Sequence, residues 1–244
     1  LKFVYTKLIY ALGSECFIPP IAGAEKKGVI AIRSLDDTKK VAAMLPDVEH
    51  VVVIGGGVLG LEAAWELKKA GCQVTVLEAA CQLMGRQLDD AAGEMLKHIS
   101  EQQGVQIYTG VSIASIDGED NVTGVTLAEL VIVSAGVRAN TVLAKKAGIE
   151  VDRAVIVNSK METNVPDIYA CGDCAQYDGL NYAIWPEASE QGKVAGANAA
   201  GEEMEYETVP AALSFHGMRT ALFAAGDNGK NPNLVYKTIE LKDM

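Results

Sequence analysis

His50-Val-Val-Val-Ile-Gly-Gly-Gly-Val-Leu-Gly-Leu-Glu62, read together with Gln73-Val-Thr-Val-Leu-Glu78, decides the fold. Within the strand His50 to Ile54, Val51 to Ile54 are apolar and β-branched, as a parallel strand covered on both faces must be. Gly55-x-Gly57-x-x-Gly60 follows at once. Val58 to Ala70 then sets Leu59, Ala63 and Leu67 four residues apart on one helical face, with Gly71 in the place of a C-cap glycine. Gln73 to Leu77 is the next strand. Between a strand and a helix each glycine has its own role. The first allows the tight turn, the second lets the backbone approach a pyrophosphate, and the third lets the helix lie close on the strand. Val58 and Leu59 open the helix, whose unbonded amides and positive dipole end attract phosphate. Glu78 closes the second strand 18 residues after Gly60. A carboxylate there accepts from the adenosine ribose hydroxyls and repels a 2′-phosphate, so NAD is expected over NADP.

Upstream, Val29 to Ile32 reads as a short strand, and Ser34 as the N-cap of a helix that carries Asp36 and Asp37 in its first turn and ends by Pro46. Downstream, a helix runs from about Asp89 to Gln103 and stops at Gly104. Strands follow at Val105 to Tyr108, Ser112 to Ile116 and Val122 to Leu127, with a hairpin turn at Gly118 to Asn121. Leu130 to Ser134 is a further buried strand. Only Ala128 and Glu129 separate it from its predecessor, and neither is a turn former, so either the two strands merge or a loop is missing at this junction. Tyr108, Tyr169 and Phe223 lie in apolar runs and are expected in the core.

A chain of 244 residues suits one large or two ordinary domains. Acidic residues outnumber basic ones 32 to 21, a formal net charge of −11, and no basic block occurs. A nucleic-acid groove or an anionic membrane surface is therefore not expected as a partner. The longest apolar runs are strand-sized, well short of the roughly 20 residues of a membrane-spanning helix. Leu1 to Tyr10 lacks the layout of a secretion signal, which points to the cytoplasm.

The five cysteines, an odd number at irregular spacing, read as reduced thiols. Cys171-Gly-Asp-Cys174 has the spacing of a redox or metal pair, but it follows a strand rather than opening a helix. No second such pair and no His pair completes a zinc site, so no metal is expected. His50, His98 and His216 are scattered and compose no hydrolase triad.

Tyr5-Thr-Lys-Leu-Ile-Tyr-Ala-Leu-Gly-Ser14, the glycine-rich unit, Ala135-Gly-Val-Arg-Ala-Asn140 and Ile168-Tyr-Ala-Cys-Gly-Asp173 occur in that order. With them the sequence resembles the FAD-dependent pyridine-nucleotide-disulfide oxidoreductase superfamily over nearly its whole length. Trp185-Pro-Glu-Ala-Ser-Glu-Gln-Gly192 is most similar to the branch of rubredoxin reductases, NADH oxidases and the flavin module of nitrite reductase large subunits. The resemblance implies an α/β fold in which a Rossmann-like NAD domain, residues 32–137, is inserted into a split FAD domain, residues 1–31 and 138–205. Residues 206–244, with Leu213-Ser-Phe-His-Gly-Met and Ala221-Leu-Phe-Ala-Ala-Gly-Asp227, resemble the start of an α+β C-terminal interface domain that would be truncated.

The same resemblance implies FAD and NAD(H) as cofactors and hydride transfer from NADH to flavin. The acceptor would be a small redox protein, such as rubredoxin or a nitrite reductase partner, or a small molecule such as oxygen or a disulfide. The oligomeric state is left open, a homodimer included. Carried over by position, Gly13, Gly172 and Asp173 would hold FAD, and Arg33 would lie near the flavin. Trp185 and Glu187 would line the ring, with the helix from Pro186 aiming its first amides at the flavin C2=O. Gly136 would belong to the NAD site. Glu62 matches an acid near the nicotinamide, though spacing alone also allows an ordinary exposed helical glutamate. Two departures stand out: Ala11-Leu12-Gly13 replaces Ala-Thr-Gly, and Ala139 stands where proline is common, which leaves the Arg138 loop less rigid. A glycine motif for the FAD adenosine half would lie upstream of Leu1. The chain is therefore either a fragment of the flavoenzyme or, as the alternative, a non-catalytic NAD-binding module without tightly bound flavin.

Overall fold

The computed structural model describes residues 4–117, 128–208, 212–237 and 239. Strands β1 (Leu8–Tyr10), β2 (Ser14–Cys16) and β3 (Val29–Ile30) precede helix α1 (Leu35–Met44). Then come β4 (His50–Ile54), α2 (Val58–Lys69), β5 (Gln73–Glu78), α3 (Asp90–Gln102), β6 (Gln106–Thr109) and β7 (Leu130–Val133). The remaining elements are β8 (Val137–Ala139), α4 (Val142–Lys146), β9 (Val155–Val157), β10 (Ile168–Ala170), β11 (Ala175–Tyr177), α5 (Trp185–Ala200), β12 (Ala212–Gly217) and β13 (Thr220–Ala225). The chain divides into two compact units, Leu1–Phe17 with Gly136–Pro210, and Ile18–Ala135 with Ala211–Met244.

The second unit is built on a five-stranded sheet in the order β3-β7-β4-β5-β6, every pair parallel. Parallel strands need cover on both faces, and the alternation of side chains along each strand supplies two apolar faces. Val51, Val53, Val74, Val76, Leu130 and Ile132 point to one side, where they pack with Leu61, Ala64 and Leu67 of α2 and Leu96 of α3. Val52, Ile54, Val131 and Val133 point to the other, against Ile116 and Ala128. Each fully buried Val or Leu of this kind contributes about 1.5–3 kcal/mol of transfer free energy. Phe215 and Met218 of the β12–β13 hairpin belong to the first of these two cores.

Local signals set the helix ends. Ser34 accepts from the Asp37 amide while the Asp37 carboxylate accepts from the Ser34 amide, a capping box at the start of α1. α2 ends at Lys69 with Ala70 as its C-cap, and Gly71 beyond it takes φ +101°. Its buried face differs from the expected one: Gly60, Leu61, Ala64 and Leu67 turn inward, and Leu59 is 63% exposed. The close seat of Gly60 on the strand rotates the helix so that Leu61, not Leu59, meets the sheet.

Other expectations change for the same kind of reason. Ser112 to Ile116 forms no strand; Ser115 makes one parallel bridge to Ala22, and the Ile116 amide donates to the Ala22 carbonyl. Isolated bridges of this kind, and no continuous ladder, are what the described residues of this segment form. The turn at Gly118 to Asn121 and the strand at Val122 to Leu127 lie outside the described residues. Tyr169 is buried as expected, whereas Tyr108 and Phe223 are exposed, Phe223 by 71%. Both occupy outward positions of two-residue periods whose inward members are Ile107 in β6 and Leu222 and Ala224 in β13.

In the first unit, β1 pairs with β10 and β9 with β11, both parallel, and β2 pairs with β8 antiparallel. Its core gathers Tyr10, Val155, Met161, Tyr169, Val194 and Tyr206. Among the described residues no helix is long and apolar enough to cross a membrane.

Because Phe215 is fully buried in the core shared with α2, the variant Phe215→Ala is expected to lose about 3–5 kcal/mol in urea unfolding. A loss under about 1 kcal/mol would show that the hairpin contributes no packing to this core.

Candidate functional site

The glycine-rich turn of the second unit has three distinct steric environments. At Gly55, φ is +115° and a Cβ would stand 2.3 Å from the Ser134 carbonyl oxygen. At Gly60, a Cβ would stand 2.0 Å from the Gly55 oxygen, so helix and strand touch backbone to backbone. At Gly57, a Cβ would meet nothing within 4 Å. Gly57 is also the N-cap of α2 and offers no side-chain cap. The first intrahelical bond runs from the Leu61 amide to the Gly57 carbonyl, which leaves the amides of Val58, Leu59 and Gly60 without an intrahelical acceptor. An open approach thus faces a row of donors at a positive dipole end, a natural anion seat.

Glu78 is held beside this turn. One carboxylate oxygen accepts from the Gly56 amide at 2.6 Å and the other from the Ala80 amide at 2.6 Å. The Gly56 carbonyl in turn accepts from the Met84 amide at 3.0 Å. The acid is therefore aimed by one backbone amide of the turn and one from the segment after β5, and its remaining lone pairs stay available to further donors. Glu62 sits one turn into α2, half-buried. Burial pushes its carboxyl above the usual range, with His216 of β12 acting in the opposite sense. Arg33, also in this unit, is exposed at the start of α1, and its backbone amide donates to Asp37.

The first unit assembles a second cluster. Gly13 takes φ +65°, and its carbonyl accepts from the Asn140 amide, while the Asn140 side chain donates to the Leu12 carbonyl at 2.9 Å. Gly136 takes φ +92° and accepts from the Phe17 amide. Asp173 accepts from the Ser14 hydroxyl at 2.7 Å, and its carbonyl from the Asn181 amide group at 3.0 Å. The Gly172 amide donates to the buried Gln191 of α5 at 2.8 Å. α5 opens with Trp185 and Pro186 after Ile184, an N-cap without a side-chain acceptor. Trp185 is 86% exposed, and Glu187 accepts from the Tyr182 amide and the Tyr206 hydroxyl.

Of the residues expected from sequence, Gly13, Gly172, Asp173, Trp185, Glu187 and Gly136 thus fall in one unit, and Gly55, Gly57, Val58, Leu59, Gly60, Glu78, Glu62 and Arg33 in the other. Sequence reasoning missed Ser14, Asn181, Gln191 and Tyr206 as supports. Ser14 and Gln191 lie inside the motifs that carry the resemblance. Asn181 and Tyr206 carry no local signal, because only folding brings them to Asp173 and Glu187.

Cys171 and Cys174 are buried, and Cys174 directs its thiol at the carbonyls of Tyr10 and Cys171. Burial pushes Cys171 up to about 11 and Cys174 upward as well. Such thiols are poor nucleophiles near neutrality.

The family profile of the pyridine nucleotide-disulphide oxidoreductases matches residues 1–192, and the chain belongs to that family. It is 40% identical over 231 residues to the nitrite reductase [NAD(P)H] of Bacillus subtilis, covering 91% of this chain and 29% of that protein. It is 36% identical to the NADH oxidase of Methanocaldococcus jannaschii, over 84% of this chain and 49% of that one. Among solved structures, the NADH:rubredoxin oxidoreductase of Clostridium acetobutylicum superposes with a TM-score of 0.78 at 30% identity, covering 96% of this chain and 60% of that one. A ferredoxin reductase of Rhodopseudomonas palustris gives 0.85 at 28% identity, covering 91% and 58%. The α/β fold and the branch expected from the motifs are those of these relatives, and the chain spans between 29% and about half the length of the two curated relatives named.

Two outcomes follow from the geometry. Gly60→Ala is expected to destabilise by about 3 kcal/mol or more in denaturant melts, since the added methyl would stand 2.0 Å from a backbone oxygen that cannot swing away. With a maleimide at neutral pH, mass spectrometry should find the exposed Cys81 modified well before Cys171 and Cys174; equal rates would contradict their burial.

Proposed function

We propose that the chain carries the nucleotide- and flavin-binding parts of an NADH-dependent flavin oxidoreductase. The observation that carries this reading is the glycine turn, where an open approach at Gly57 meets unbonded α2 amides beside a Glu78 already aimed by Gly56 and Ala80. The residues fit the groups the family implies. In the second unit, Gly57, Val58 and Leu59 would receive the pyrophosphate of NAD, and Glu78 would accept from the ribose hydroxyls and repel a 2′-phosphate. Glu62 would stand toward the nicotinamide end. In the first unit, Asp173 and Gly172 would hold the ribityl and pyrophosphate region of FAD, with Gly13 in support. The amides that open α5 would face the ring between Trp185 and Glu187. Arg33 and Gly136 complete the proposed contacts.

Bound FAD would supply the redox chemistry, accepting hydride from NADH and releasing electrons to an acceptor. This chain's residues bind, orient and set the local charge. Ser14 keeps the Asp173 carboxylate in direction, and Gln191 ties the Gly172 backbone to α5. The acceptor would be a small redox protein, a nitrite reductase partner, oxygen or a disulfide. In domain terms, the five-stranded sheet would be the NAD-binding part, the first unit the FAD-binding part, and the β12–β13 hairpin the opening of an interface domain.

The absorption spectrum tests the reading. The flavoprotein should show bands at about 370 and 450 nm that bleach on anaerobic addition of NADH. A colourless protein that binds NAD would overturn it in favour of a non-catalytic NAD-binding module. Glu78→Ala should lower the NADH over NADPH ratio of kcat/KM by about tenfold or more, since each lost charge-assisted hydrogen bond is worth about 1.5–3 kcal/mol. An unchanged ratio would refute the role of Glu78.

A further inference from the structure

The turn that leads into α5 is built around one carboxylate. Ala183 sits in the left-handed region at φ +53°, a conformation a non-glycine residue holds only when its surroundings dictate it. The Asn181 amide group ties the turn to the carbonyls of Asp173 and Ala175. The Tyr182 amide donates to one oxygen of Glu187 at 3.2 Å, and the Tyr206 hydroxyl donates to the other at 3.3 Å. Tyr206 comes from the segment after α5, is buried, and meets the Tyr177 ring edge-on at 5.5 Å. A capping glutamate in the third position of a helix returns to the amide of the N-cap. Glu187 bypasses the N-cap Ile184, reaches back to Tyr182, and shares its charge with a tyrosine beyond the far end of the helix.

The titratable groups that act on Glu187 are Asp173 from the turn after β10 and Tyr206 from the segment after α5, and the strained turn adds the Tyr182 backbone amide. Neither titratable group is a cation. Burial raises the Glu187 carboxyl; the donors on Tyr182 and Tyr206 oppose this, and the neighbouring Asp173 charge adds to it. Tyr206 is itself pushed up to about 12 by burial and by Glu187, so it remains a donor throughout the working range. The pair therefore has one group that can take a proton and one that cannot lose its own.

We propose that Glu187 is a proton-holding residue for the redox group at the α5 N-terminus, and that Tyr206 is its positioning residue. The inference rests on the reading that the flavin ring lies there. When two-electron reduction adds negative charge beside α5, the Glu187 carboxylate takes one proton from solvent, forming one O–H bond with no electron moved in that step. On reoxidation the carboxyl returns the proton. The carboxylate would otherwise be a third negative charge beside Asp173 and the reduced ring.

The full-length chain labelled with 13C at the glutamate carboxyls tests the pair directly, with the Glu187 resonance assigned by its loss in Glu187→Gln. Its NMR titration midpoint is expected above the ordinary value of about 4.3, and higher again in Tyr206→Phe, which keeps the ring packing but removes a donor that favours the charged form. With FAD bound, the midpoint potential plotted against pH should change slope at the Glu187 midpoint, lose that break in Glu187→Gln, and show it at higher pH in Tyr206→Phe. A midpoint in the ordinary glutamate range, no shift in Tyr206→Phe, or a break that survives Glu187→Gln overturns the proposal. Failure of the protein to take up flavin overturns the functional reading and this inference with it, whereas flavin binding without the break overturns the inference alone.

Discussion

The contact between the Gly60 backbone and the Gly55 carbonyl leaves no room for one further carbon, and the arrangement of the second unit follows from it. A helix seated this closely on its strand has its direction and rotation set together. Its first amides then open over Gly57, where space is free, and Leu61 rather than Leu59 enters the core. The same turn presents the Gly56 amide to Glu78 at the end of the neighbouring strand. Steric exclusion at two positions thus places an anion seat and a carboxylate side by side without any dedicated scaffold.

The first unit uses the same economy. Asp173 is aimed by the Ser14 hydroxyl, Gly172 is tied to Gln191, and α5 begins without a side-chain cap. In both units a carboxylate receives its direction from neighbouring N–H or O–H groups, and a helix begins without a side-chain cap. Electrostatics then divides the groups by role. Burial keeps Cys171 and Cys174 protonated and unreactive, while at Glu187 burial and the neighbouring Asp173 raise the carboxyl against the two donors that lower it.

Legibility follows how local the determining interaction is. The strand at His50–Ile54 and the capping box at Ser34 and Asp37 could be read because each depends on residues within a turn or a strand length. The burial of α2 could not, since spacing by four fits more than one face and only contact with Gly55 selects among them. Tyr108 and Phe223 look like core residues in an apolar run, yet the pleat turns them outward once Ile107 and Leu222 are seated inward. Ser112 to Ile116 has the composition of a strand, yet among the described residues it makes only the isolated bridge from Ser115 to Ala22.

By itself, the sequence determined the dinucleotide-type turn, the acid at Glu78 and the order of motifs that marks the family, because these depend on residue type at fixed spacing along the chain. Tertiary structure alone decided which carboxylate oxygen meets which amide, that Ser14 and Gln191 support Asp173 and Gly172, and that Tyr206 reaches Glu187. These partners lie as far as 159 residues apart in the chain, and no spacing rule links positions that only the folded backbone brings within hydrogen-bond reach.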